Sequence, residues 1–192
     1  MSHFTNLTTE IRDLEACKKA LENMGLQLQE YGECRYYYGV KEMENVVKLP
    51  TKYDMALTNN HNGSYSIQAD FDEGYVEEVI GRKGSALLRE YGEEMLKKTA
   101  KKLHLSITHP EKNAYKLRNP QDPNGGYMMV YFEANGELRF EPKGIKGKNC
   151  SKFIGLEDAL GKVTKREFLP EYYGKTGVKE KDKKERVKVG GY

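Results

Sequence analysis

The sequence predicts an α+β fold: an antiparallel sheet with two main helices, followed by a smaller lobe built on a β-hairpin. Three observations carry this reading. From about Ser85 the residues Leu88, Tyr91, Met95, Leu96, Thr99, Ala100 and Leu103 recur at helical spacing and form one stripe. Charged pairs fall between them, with Glu93 and Glu94 four residues ahead of Lys97 and Lys98, and acids early and bases late as the helix dipole prefers. Residues 127–144, YMMVYFEANGELRFEPKG, read as two strands closed by Asn135-Gly136, the dipeptide of a two-residue turn. Segments 53–59 and 64–71 alternate like strands around a second such dipeptide, Asn62-Gly63.

Taken in order, residues 3–9 (HFTNLTT) are short and partly β-branched, which suits a first strand. Asp13 can cap a helix running to Met24, with Ile11, Leu14, Cys17, Leu21 and Met24 inward and Gly25 as its stop. Residues 26–39 read as a strand helped by three consecutive tyrosines. Residues 40–52 carry little pattern and end at Pro50, so a loop or short edge strand is expected there. After the strands at 53–59 and 64–71 come the long helix and a strand at 105–108. Residues 109–126 hold Pro110, Pro120, Pro123 and Gly125-Gly126, which marks a boundary.

In the hairpin, pairing Ala134 with Glu137 puts Met129, Tyr131, Leu138 and Phe140 on one face. Val130, Phe132, Arg139 and Glu141 then take the other. A short helix from about Asn149 to Leu160 and a strand from Val163 to Phe168 complete a ββαβ lobe. The expected organisation is an N-terminal lobe over 1–110, a linker over 111–126, a small lobe over 127–173 and a basic, disordered tail over 174–192. Whether the two lobes share one sheet is left open.

A chain of 192 residues can bury a real core as one domain or two small ones. No apolar run approaches the roughly 18 residues of a membrane span, so no membrane partner is expected. The opening MSHFTNLTTE lacks the basic and apolar regions of a signal peptide. Three widely spaced cysteines, Cys17, Cys34 and Cys150, suit reduced thiols, and a cytoplasmic location follows. The net charge of +3 suggests a nucleic-acid partner, but its distribution argues otherwise. Residues 174–192 hold seven bases against three acids, a surplus of four, which leaves −1 for residues 1–173.

Several segments resemble known families. The opening MSHFTNL…IRDLEACKKALENMGL, with Tyr53-Asp54, GSYSIQAD (63–70) and the helix around Tyr91, is similar over residues 1 to about 110 to the ycf-thirty-five-like group, proteins descended from a plastid open reading frame. KGIKGKNC (143–150), LEDALG (156–161) and KREFLPEYY (165–173) resemble a second small domain of unknown function over about 127–173. The tryptophan expected before the long helix is missing, since the chain has none. The resemblance implies small soluble α+β proteins of cyanobacteria, plastids, other bacteria and their phages, with no agreed activity. An AAA+ ATPase partner is implied by gene association alone.

The sharpest candidate site is Val79-Ile80-Gly81-Arg82-Lys83-Gly84. It resembles the GxxG loop of a KH domain, which clamps single-stranded nucleic acid: glycines allow close approach, and Arg82 and Lys83 meet phosphates at a helix N-terminus. The same spacing recurs at Gly144–Gly147 and Gly174–Gly177, so it carries little by itself, and a glycine-punctuated turn before a helix capped by Ser85 is the favoured reading. Cys150 stands at a predicted helix start, where the dipole lowers a thiol pKa, but lacks a nearby His or Cys in sequence. His104 and His109 are poorly spaced for a metal, and His3 and His61 are isolated, so no metal site is expected. No phosphate-binding loop, nucleophile elbow or dinucleotide fingerprint occurs, and no cofactor is expected. Scattered carboxylates leave an enzymatic role open. The tyrosines at 36–38 and 172–173 read as packing, although a tyrosine-rich surface suits a protein partner. The functional expectation is a non-enzymatic accessory or adaptor protein acting through a protein partner. The alternative is a KH-like single-stranded RNA-binding protein using Gly81–Gly84.

Overall fold

The computed structural model of the chain describes residues 4–132 and 138–145. The elements run β1 (Phe4–Ile11), α1 (Leu14–Asn23), β2 (Leu28–Tyr36), β3 (Gly39–Val47), β4 (Met55–Asn59), β5 (Tyr65–Asp70), α2 (Glu77–Ile80), α3 (Ser85–Lys102), β6 (Ser106–Glu111), β7 (Ala114–Arg118), β8 (Tyr127–Phe132) and β9 (Leu138–Lys143). They form an α+β fold with two antiparallel sheets, one of five strands ordered β1-β5-β4-β3-β2 and one of four ordered β6-β7-β8-β9. The chain divides into two compact units. The first holds the residues up to Met95 together with Phe132 and Leu138; the second holds Leu96–Tyr131 and the residues from Arg139. The first unit's leading segment ends at Met95, within α3.

The core of the first unit is built where the sequence pattern places it. Asp13 caps α1, its carboxylate accepting from the amide of Ala16 at 2.9 Å. At the other end Gly25 takes φ +75°. Its amide bonds the carbonyl of Glu22, and that of Leu26 bonds Leu21, the glycine-closed helix stop that the sequence signals. Ile11, Cys17, Leu21, Met55, Leu57, Ile67, Ile80 and Leu87 are fully buried together. Tyr91 of α3 joins them, its hydroxyl accepting the amides of Arg12 at 3.0 Å and Asp13 at 3.2 Å. Two donors that open α1 are thus satisfied by a residue far along the chain.

Other expectations are corrected. Ser85 has helical dihedrals and lies inside α3 instead of capping it. Glu94, read as water-facing, is buried and turns to α1, with Asn23 Nδ2 at 3.1 Å and Lys19 Nζ at 3.3 Å. Of residues 40–52, only 48–52 are irregular; the rest is neither a loop nor a short edge. Gly39–Val47 pairs along its length with β2, across a turn formed by Tyr37-Tyr38. Its solvent-side charges Lys41, Glu42 and Glu44 hid it, because only Val46 and Val47 are buried. Within the stretch expected to link the lobes, Ala114–Arg118 forms β7, paired with both β6 and β8. The prolines there flank that strand or sit in β6, an edge strand where a missing donor does not break the sheet.

The hairpin of β8 and β9 exists, but its faces differ from expectation. Phe132 and Leu138 both border Gly92, and the Arg139 guanidinium lies 4.1 Å over the Tyr131 ring. A Cβ on Gly126 would meet the backbone of Lys143, Gly144 and Ile145. These contacts set Phe132 opposite Leu138 and Tyr131 opposite Arg139, one residue from the expected register, which exchanges the faces of β9. The turn Asn135-Gly136, the helix at 149–160, the strand at 163–168, Cys150 and the tail at 174–192 lie outside the described residues.

Candidate functional site

The Gly81–Gly84 segment is a single tight turn between α2 and α3. Gly81 stands at φ 79°, ψ 164°, a region closed to residues with a Cβ, and a Cβ there would lie 2.7 Å from the Ala86 nitrogen. At Gly84, φ +78°, a Cβ would lie 2.7 Å from the Ile67 side chain. Both glycines therefore have a packing reason. Arg82 and Lys83 are exposed, as a phosphate clamp would need. The amide of Lys83, however, already donates to the Glu77 carboxylate at 3.0 Å, and that of Gly84 bonds the Gly81 carbonyl. The strands flanking this helix pair, β5 and β6, belong to different sheets.

A second arrangement surrounds the β2–β3 hairpin. Tyr31 (61%), Tyr37 (50%), Tyr38 (71%) and Val40 (53%) are the large apolar residues most open to solvent among the described residues. Exposed Glu30, Glu33, Glu42 and Glu44 flank them, and the Tyr31 hydroxyl donates to Glu42 at 2.7 Å. The tyrosine end is fixed by two buried carboxylates. Asp54 receives the Arg35 side chain through two bonds of 2.6 and 2.8 Å, Lys48 at 3.1 Å, and the amides of Arg35 and Leu49. Burial alone would push this carboxyl up, but the Arg35 fork, the two amides and Lys48 hold it below its ordinary value. Asp70 receives the amides of Tyr37 at 3.0 Å and Asp72 at 3.1 Å. Lys52 pairs with Glu73 at 3.1 Å and lies between 5.2 and 5.9 Å from the rings of Tyr37, Tyr53 and Tyr75. The sequence places the tyrosines at 36–38 in packing, yet Tyr37 and Tyr38 are exposed. The signal was present in Tyr37-Tyr38 followed by Gly39, a turn-like interruption between two alternating runs.

Cys17 and Cys34 are free and buried. Burial, with the Asp13 charge behind it, pushes the Cys17 thiol up to about 12; burial, against nearby Lys48, Arg35 and Lys41, pushes Cys34 up to about 11. Neither is poised as a nucleophile. Among the described residues no cluster of three or more His, Cys, Asp or Glu side chains could hold a metal, and no helix is long and apolar enough to cross a membrane.

The fold defines an α+β protein of two small units whose described surface offers aromatic and ionic contacts. Residues 132–173 match the model of a family described as Protein of unknown function (DUF2997), in the part where the second small domain of unknown function is expected. No curated protein and no solved structure matches the chain.

Proposed function

We propose that this chain is an accessory protein that binds a protein partner through the β2–β3 hairpin. The observation that carries this reading is the set of exposed side chains Tyr31, Tyr37, Tyr38 and Val40 on a hairpin whose backbone is anchored by Asp54 and Asp70. Exposed tyrosines on a rigid support give large contact area at low entropic cost, the composition of interface anchors. The surrounding glutamates favour a partner whose facing surface is basic. An AAA+ ATPase, suggested by resemblance alone, is the first partner to try. The test is affinity capture from native lysate with the intact chain and with Tyr37→Ala/Tyr38→Ala. We expect a stoichiometric protein that the double variant no longer retains, although its melting temperature is unchanged. Equal capture by both forms would remove the hairpin from the reading.

A further inference from the structure

The cations of the second sheet are confined to one of its faces. Tyr115, Leu117, Met128 and Val130 alternate onto one face and are all buried. The register of β6, β7 and β8 sends Lys116, Arg118, Tyr127 and Tyr131 to the other, together with the buried Ala114 and Met129. Here Lys116 Nζ lies 4.0 Å over the Tyr127 ring and Arg118 approaches the same ring at 5.3 Å. Neither cation has a carboxylate partner among the described residues. Arg139 lies on Tyr131, and Lys143 completes the row. Among the described residues the acids on this face are Glu141, shared by Arg139 and by Lys143 at 3.2 Å, and Glu111 at the β6–β7 turn. Among the described residues, four cations thus stand with two acids on this face, interleaved with two aromatic rings of β8. Arg118, Arg139 and Lys143 are open to solvent.

Isolated cations would suit any anion, and isolated tyrosines any apolar partner. Their alternation is more selective. A guanidinium laid on a tyrosine ring offers a flat, charged plane on which a base can stack while its phosphate meets the charge. A sheet face holding several such stacks is a platform for an unpaired strand, because the bases of a duplex are not available for stacking.

We infer that the β6–β9 sheet binds single-stranded nucleic acid on the face carrying Lys116, Arg118, Tyr127, Tyr131, Arg139 and Lys143. This site is distinct from the Gly81–Gly84 turn and from the tyrosine hairpin. The measurement is fluorescence anisotropy of the full chain with a labelled single strand of about 12 nucleotides, a length within known platform sizes. RNA and DNA versions are titrated separately at salt between about 50 and 200 mM. Binding of either is expected, weakening as salt rises. Lys116→Glu/Arg118→Glu should lower affinity by about tenfold or more, and Tyr127→Leu by about fivefold. The control is Arg82→Asp/Lys83→Asp, an equal change of charge elsewhere, which should cost less than about twofold. If the Lys116/Arg118 reversal unfolds the chain, Lys116→Gln/Arg118→Gln replaces it with the same expected direction. Equal loss in the control, loss only in the control, no effect of Tyr127→Leu, or binding to phosphatidylserine vesicles in place of the oligonucleotide would each overturn the inference.

Discussion

Asp54 shows at the level of one residue how charge is used here. It is fully buried, yet its two cationic partners are 41% and 40% exposed, so solvent screens their side of the cluster. Asp54→Asn should therefore cost about 2–3 kcal/mol, below the cost of breaking a fully buried pair. The folded pKa lies beneath the ordinary 3.8, so the stabilisation is fully present above that value and is lost as pH falls below it toward the folded pKa. Urea denaturation of both proteins between neutral pH and about pH 3 checks this. The intact chain should lose stability over the acid end of the range more steeply than the variant, whose residue 54 no longer titrates. Parallel curves would show that Asp54 is not held below its ordinary value.

Between elements, the turn that joins α2 to α3 matters more for its backbone than for its charges. Gly81 occupies dihedrals reserved for glycine, and a Cβ there would meet the Ala86 nitrogen, so Gly81→Ala should destabilise by about 1–3 kcal/mol. Arg82 and Lys83 are exposed, and replacing both by alanine should stay within about 0.5 kcal/mol. Thermal melts of the two variants separate the contributions. A neutral Gly81→Ala would mean that the turn relaxes, and that its shape is not what the glycine secures.

For the whole molecule, the first unit is not continuous in sequence. It includes Phe132 and Leu138, and the Phe132 ring comes within 2.8 Å of where a Gly92 Cβ would lie. A fragment ending at residue 110 keeps all of α3 but loses the side chains that cover Gly92. Its melting temperature should fall at least about 5 °C below the first transition of the intact chain, the equivalent of about 1 kcal/mol. An unchanged transition would show that residues 1–110 are self-sufficient.

Much of the fold was legible in the sequence because it is locally encoded. The Asp13 cap, the Gly25 stop, the α3 stripe and the β4–β5 pair rest on neighbours within a few positions, where spacing and turn chemistry decide the outcome. The α+β class followed from those signals. Tertiary structure alone decided the rest. Glu94 looks like an outward helix charge until Asn23 and Lys19 of α1 meet it. β3 lacks the alternation of a half-buried strand, since pairing with β2 and not burial of one face makes it. The β8–β9 register turned on contacts with Gly92 and Tyr131 that no dipeptide rule contains. The exposed tyrosine hairpin and the cation–tyrosine face assemble residues from separate strands. Sequence specifies the chemistry of each side chain, but only sheet pairing decides which of them stand side by side.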